Sequence, residues 1–300
     1  MSPDGRTTAQ NNEQASPWVL AMPGTFVLLW STGFLGAKLG LPYAEPFTFL
    51  FLRFAILTVV LGLVAVAFRA PWPRTWGEAG RVSVVGLLVH GAYLGGVFSA
   101  IHAGVPAGIA ALIVGLQPLL TGVGAGLFLG EHVSRRQWLG LVLGLVGVVL
   151  VLSDKLSFDI ETLDGVIYAV VALVGITVGT LYQKRHGHST DLRSGAAIHY
   201  AAAAVPTAVL AWVFETREVV WSGEFVFALG WLVVVLSLGA ITLLLVMIRR
   251  GAAAKVASLF YLTPPVTAVL AWALFGETLG VMAIVGMGVA VVGVALVTKR

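Results

Sequence analysis

The second half of this chain repeats the first at an offset of 146 residues, the distance from Glu131 to Glu277. Gly130 and Glu131, in the run LFLGEHV, recur as Gly276 and Glu277 in LFGETLG. At the same offset Pro118 falls on Pro264, Thr121 on Thr267, Gly140 on Gly286, Gly147 on Gly293, Lys38 on Lys184 and Arg53 on His199. Matches of Gly and Ala between apolar helices arise from composition; Pro and Gly-Glu matches in one order do not. An odd number of apolar spans separates the copies, so the halves cross a bilayer in opposite senses. That layout encloses a solute site near the midplane.

Composition makes lipid the solvent. The chain is 58% hydrophobic and 11% charged, against about a quarter charged in soluble domains, and its mean hydropathy is +0.96. Continuous runs such as Ile56 to Phe68 and Leu139 to Leu152 suit helices, since barrel strands alternate apolar and polar residues. The absence of cysteine excludes disulfides, thiolate metal sites and cysteine nucleophiles. No HExxH, no phosphate-binding glycine loop and no intramembrane carboxylate pair is present, so no enzyme chemistry and no cofactor is expected.

Residues 1–17 are polar and lack the apolar core of a signal peptide, which makes them a disordered cytoplasmic tail. Spans of about 20 residues are predicted near 18–39, 46–68, 78–100, 105–129 and 133–152, then near 163–183, 192–214, 224–247, 252–275 and 279–298. The expected fold is therefore all-α, ten transmembrane helices in two inverted five-helix repeats, 18–152 and 163–298. With the amino terminus inside, fourteen of the eighteen Lys and Arg residues fall on the cytoplasmic side, and only Lys38, Arg53, Lys155 and Arg217 fall outside. Retained basic residues set orientation, so both termini are expected in the cytoplasm. The basic balance reflects membrane topology, and no nucleic-acid partner is expected.

Glycines four apart, such as Gly140 and Gly144, are read as close helix contacts. Pro118 and Pro264 lie within the fourth and ninth spans, where each removes a backbone donor. With Pro265 they are the candidate hinges. Gln117 and Thr263 precede them, and paired helix breaks in two halves point to a binding site. Trp30, His90, Tyr93 and Ser237 lie at similar depth, as do Ser31, Thr32, His199, Tyr200 and Thr242. Such groups face one another or a wet cavity, not lipid. The candidate substrate-binding residues are thus Trp30, His90, Tyr93, Gln117, Ser237 and Thr263. Trp30 and Tyr93 could stack on an aromatic or cationic solute, and His90 could bind a carboxylate or carry a proton. Arg53, two turns into the second span, is placed to attract an anionic group, to pair with Glu45 or to snorkel to the surface. No Asp or Glu falls in mid-span, which disfavours divalent-metal transport and carboxylate-based ion coupling. His186 and His188 lie in a basic loop and are read as solvated, so no metal site is expected.

The Gly-Glu steps closing the fourth and ninth spans, the central QP and TP steps and the glycine-rich fifth and tenth spans resemble the drug/metabolite transporter superfamily, and within it the EamA-like branch. The resemblance covers nearly all of the chain after the tail. It implies eight helices around a central cavity, with the fifth and tenth helices packed to one side. It is similar to the YddG-like amino-acid exporters, which implies export of aromatic and other neutral amino acids across a bacterial inner membrane by alternating access. The partners so implied are a small-molecule solute and membrane lipid; two complete halves in one chain mean that a monomer could suffice, with a weak oligomer as the alternative. The missing central acid favours facilitated passage. The alternative is proton-coupled efflux of drugs or cationic toxins.

Overall fold

The computed structural model describes residues 17–129, 134–153, 160–186, 190–240, 259–277 and 280–298, together with 243 and 247. Residues 1–16 of the tail, Gly130, Glu131, Thr242 and His188 lie outside the described residues, and Pro17 opens the first helix. Within them the chain is helical, and the one extended pairing is an isolated bridge between Ala44 and Val219.

The helices are α1 (Pro17–Gly40), α2 (Pro46–Ala67), α3 (Trp76–His102), α4 (Ala107–Val114), α5 (Gln117–Leu129) and α6 (Arg135–Ser153), then α7 (Ile160–His186), α8 (Leu192–Phe214), α9 (Gly223–Ala240), α10 (Thr263–Phe275) and α11 (Val281–Thr298). Among the described residues six apolar helical stretches are long enough to cross a membrane: α2, α3, Ala107–Gly124 running through α4 and α5, Leu163–His186 of α7, α8 and α9. Their outer faces stay apolar although exposed, as at Val59 (61%) and Leu63 (66%) of α2, which is what a lipid environment permits.

Local chemistry sets several helix starts. Thr75 accepts from the Glu78 N–H before α3, while the Glu78 carboxylate accepts from the Arg74 N–H, satisfying donors that a first turn leaves unpaired. Asp191 and Ser222 cap α8 and α9 in the same way. Pro46 opens α2 at a position where its missing N–H is no loss.

α2 and α8 pack antiparallel and are fastened at both ends. Glu215, after α8, accepts at 2.7 Å from the Phe47 and Thr48 N–H groups and from the Thr48 hydroxyl. At the other end Ser194 of α8 donates to the Pro71 carbonyl at 2.7 Å. Thr48 and Ser194 are themselves related by the 146-residue offset. α6 and α11 form a second antiparallel pair, seated beside α4 and α5. A β-carbon on Gly147 would stand 2.6 Å from the Gly286 carbonyl oxygen, and one on Gly293 would stand 2.6 Å from the Gly140 carbonyl oxygen. The same two sequence positions thus make the contact in both directions. Elsewhere Gly33 and Gly36 of α1 admit Leu236 and Leu232 of α9, and Gly175 and Gly179 of α7 admit Ala92 and Val89 of α3.

The predicted fourth span is divided, and the division falls at Gly115 and Leu116 rather than at Pro118. Pro118 is the second residue of α5 and Pro264 the second of α10, with a short 3₁₀ turn, Phe260–Leu262, before the latter. Proline is tolerated in a first turn, so each starts a new helix instead of bending an old one. The two breaks touch: a β-carbon on Gly115 would stand 2.8 Å from Pro264 Cγ.

Candidate functional site

A cavity lies between six helices. Trp30, Gly33 and Phe34 of α1, Arg53 of α2, residues from Val89 to Phe98 of α3, Ile176 of α7, Tyr200 of α8 and Leu236 of α9 line it. Its central free space is about 70 Å³, room for a few water molecules. A solute with a ring enters only when the walls part.

Two lining helices leave α geometry where they meet the cavity. Leu87–Ala92 of α3 and Trp231–Ala240 of α9 are π-helical. The extra residue in a π turn rotates later side chains by about 100° relative to a regular helix, so a 3.6-residue period does not assign the faces of His90, Leu236 and Ser237. Beside the first π segment, a β-carbon on Gly86 would stand 2.4 Å from the His199 carbonyl oxygen. α3 and α8 are therefore in backbone contact there. His90 stacks on Tyr200 with ring centroids 4.3 Å apart and planes 26° apart, and lies 5.9 Å from the His199 ring. Phe54 packs 5.8 Å from Tyr200 and 6.2 Å from His90. Trp30 is held edge-on by Phe260 at 5.0 Å and tilted against Phe26 at 5.4 Å.

Arg53 is 3% exposed. Its Nη2 donates to Ser237 Oγ at 2.9 Å, while Nε and Nη1 have no hydrogen-bond partner. It neither snorkels nor meets Glu45, whose carboxylate accepts from the N–H and hydroxyl of Thr216 at 2.7 and 2.6 Å. Among the described residues no ion pair involves Arg53. Burying a guanidinium this way costs several kcal/mol, and a neutral hydroxyl returns only a part.

Of the residues singled out in the sequence, Trp30, His90 and Tyr93 line the cavity, and Ser237 adjoins it through Arg53. Gln117 and Thr263 do not line it. The Gln117 amide donates to Thr121 and Thr180 hydroxyls at 3.2 and 3.3 Å. Thr263 is buried, its carbonyl accepts from Ser31 Oγ at 3.4 Å and its own hydroxyl has no partner. Pro118, Pro264 and Pro265 also stand away from the cavity. The lining residues missed in the sequence, such as Phe34, Val97, Phe98 and Ile176, carry no signal that separates them from ordinary core.

The Gly-Glu step has a visible role at Gly276 and Glu277. Gly276 ends α10 with φ of +65°, a left-handed turn that glycine makes without strain. Glu277 then folds back to accept from Lys38 Nζ, at the end of α1, and from the Ala107 N–H at 3.3 Å. A carboxylate at the first turn of α4 also meets the positive end of that helix. The Phe275 ring lies 4.9 Å beneath the Lys38 ammonium.

Apolar-faced helices enclosing a small aromatic cavity with a buried charge define a membrane transporter. The sequence matches the EamA-like transporter family over residues 18–153 and 163–299, and the chain belongs to that family, within the drug/metabolite transporter superfamily. It is 26% identical over 287 residues to the uncharacterized transporter YvbV of Bacillus subtilis, covering 91% of this chain and 89% of that protein. It is 27% identical over 272 residues to the uncharacterized inner membrane transporter YedA of Escherichia coli K12, covering 90% and 87%. A probable amino-acid metabolite efflux pump of E. coli K12 is 26% identical over 165 residues, 55% of this chain and 53% of that one. A solved crystal structure shares the fold at a TM-score of 0.63 and 22% identity, covering 93% of this chain and 96% of the other.

Proposed function

We propose that the protein exports small metabolites, amino acids first among them, across a bacterial inner membrane by alternating access. In this reading α4 with α5 form one span, ten spans make two inverted five-helix halves, 18–152 and 163–298, and both termini lie in the cytoplasm. The reciprocal contacts of Gly147 with Gly286 and Gly293 with Gly140 support the inverted halves. Charge asymmetry supports the orientation.

The observation that carries the reading is the cavity, lined by Trp30, Arg53, His90 and Tyr93 of the first half and by Ile176, Tyr200 and Leu236 of the second. A site shared by two halves changes access when they rock. Pro118, Pro264 and Pro265 are the proposed hinges, and the contact between the Gly115 and Pro264 breaks supports that role. Gln117, Ser237 and Thr263 then act as polar groups behind the walls, reaching solute only as the halves move. Amino-acid efflux is supported by a relative described as a probable amino-acid metabolite efflux pump. Facilitated passage is supported by the absence of any carboxylate among the described residues lining the cavity.

The test is uptake of labelled amino acids into liposomes carrying the purified protein, with and without an imposed pH gradient, beside His90→Ala. Saturable uptake without a gradient is expected. Uptake that needs the gradient and disappears in His90→Ala would replace facilitated passage with proton coupling through His90. Transport of lipophilic cations alone would replace the substrate class.

A further inference from the structure

We propose that Arg53 anchors a carboxylate on the transported solute, and that the cavity selects compact organic acids of net negative charge over their amine counterparts. This rests on the transport reading above and names the solute chemistry of the same cavity.

The argument begins with an unbalanced charge. Arg53 lines the cavity at 3% exposure and is permanently protonated. Ser237 takes one hydrogen bond from Nη2, which leaves the Nε and both Nη1 donors unpaired. A hydroxyl neutralises nothing. The acidic groups that could have reached along the same helix pair are engaged elsewhere, Glu45 with Thr216 and Glu215 with the first turn of α2. A buried charge that protein leaves uncompensated is matched by a ligand of opposite sign, and a guanidinium offers a carboxylate planar, two-pronged donation.

The rest of the lining decides what accompanies the carboxylate. Trp30, Phe34, Tyr93, Phe98 and Tyr200 present aromatic surface, and among the described residues no lining residue is acidic. An ammonium brought into this space finds no counter-charge and is repelled by Arg53. A monoanion with an aromatic or branched body neutralises the site and fills it. One guanidinium balances one negative charge, so a phosphate dianion is less well matched than a monocarboxylate. An α-amino acid satisfies Arg53 with its carboxylate but leaves its ammonium to aromatic faces alone. Removal of the amino group therefore strengthens binding or leaves it unchanged.

Calorimetric titration of the full-length protein in lipid nanodiscs with four probes of one shape tests this: 3-phenylpropionate, L-phenylalanine, 3-phenylpropanamide and 2-phenylethylamine. The expected order is acid at or above amino acid, then amide, then amine. Arg53→Gln is expected to weaken 3-phenylpropionate at least tenfold and leave the neutral amide unchanged, and Arg53→Lys to recover part of the loss. An amine that binds the wild type as tightly as the acid overturns the proposal, and so does unchanged acid affinity in a well-folded Arg53→Gln. If Arg53→Gln does not fold, the order of the four probes on the wild type decides alone. If no probe binds the wild type, the proposal fails. Uptake of labelled amino acids by the same preparation then shows whether the transport reading survives it.

Discussion

Gly147 of α6 approaches Gly286 of α11 so closely that a β-carbon on it would meet the Gly286 carbonyl oxygen at 2.6 Å and the Ala290 amide nitrogen at 2.7 Å. Both obstacles are backbone, which cannot rotate away. Gly147→Leu and Gly293→Leu are each expected to lower stability by about 1–3 kcal/mol, the usual cost of overpacking. Gly288→Ala, on the same helix with open space around it, is expected to be neutral or mildly stabilising through helix propensity. Thermal unfolding in detergent reads all three. Equal melting temperatures for Gly147→Leu and Gly288→Ala would mean that the two helices do not hold this register.

The Lys38–Glu277 pair joins residues 239 apart in sequence, and the Glu277 side chain is only 11% exposed. Glu277→Ala strips a counter-charge from Lys38 and an acceptor from the Ala107 N–H. It is expected to cost about 1–3 kcal/mol. A cycle of Lys38→Met, Glu277→Gln and the double variant is expected to give a coupling of about 0.5–3 kcal/mol, read by unfolding in denaturing detergent. Strict additivity would show the contact to be energetically idle.

Acid is expected to loosen the α2–α8 connection. The Thr216 hydroxyl, the Thr216 and Arg217 N–H groups and the charge of His102 hold the Glu45 carboxyl below its usual 4.5, against a smaller opposing effect of burial. A depressed carboxyl contributes stability that is full above the unfolded value and lost as pH falls through the folded one. The melting temperature is therefore expected to fall on acidification below about pH 4.5, and to fall less steeply in Glu45→Gln. Asp191, also depressed, chiefly by the Arg193 side chain, keeps part of the acid slope in that variant. A difference between wild type and Glu45→Gln that stays constant from neutral pH down through this window would exclude Glu45 as a source.

Much of the fold was legible because its signals are local. The run at 46–68 is α2, Pro46–Ala67, and the run at 192–214 is α8, Leu192–Phe214. Trp30, His90 and Tyr93 stood out as aromatic or titratable groups in apolar runs, and they meet in one cavity. Gln117 and Thr263 stood out equally, yet their neighbours are Thr121, Thr180 and Ser31. Polarity and depth do not say which side of a helix faces the cavity, and π segments in α3 and α9 shift the phase that periodicity would supply.

The sequence by itself determined that the long apolar runs are helices with lipid as their solvent, and that the two halves carry Gly-Glu and proline steps at one offset. These follow from the transfer energy of each side chain and from backbone rules that act over a few residues. Only the tertiary structure decided which partner each buried polar group takes: Glu45 with Thr216 instead of Arg53, Glu277 with Lys38, and Arg53 with Ser237 and, among the described residues, nothing of opposite charge. Those pairings span 171 to 239 residues, and they are set by how helices register against one another at glycine contacts, which no local property of the chain encodes.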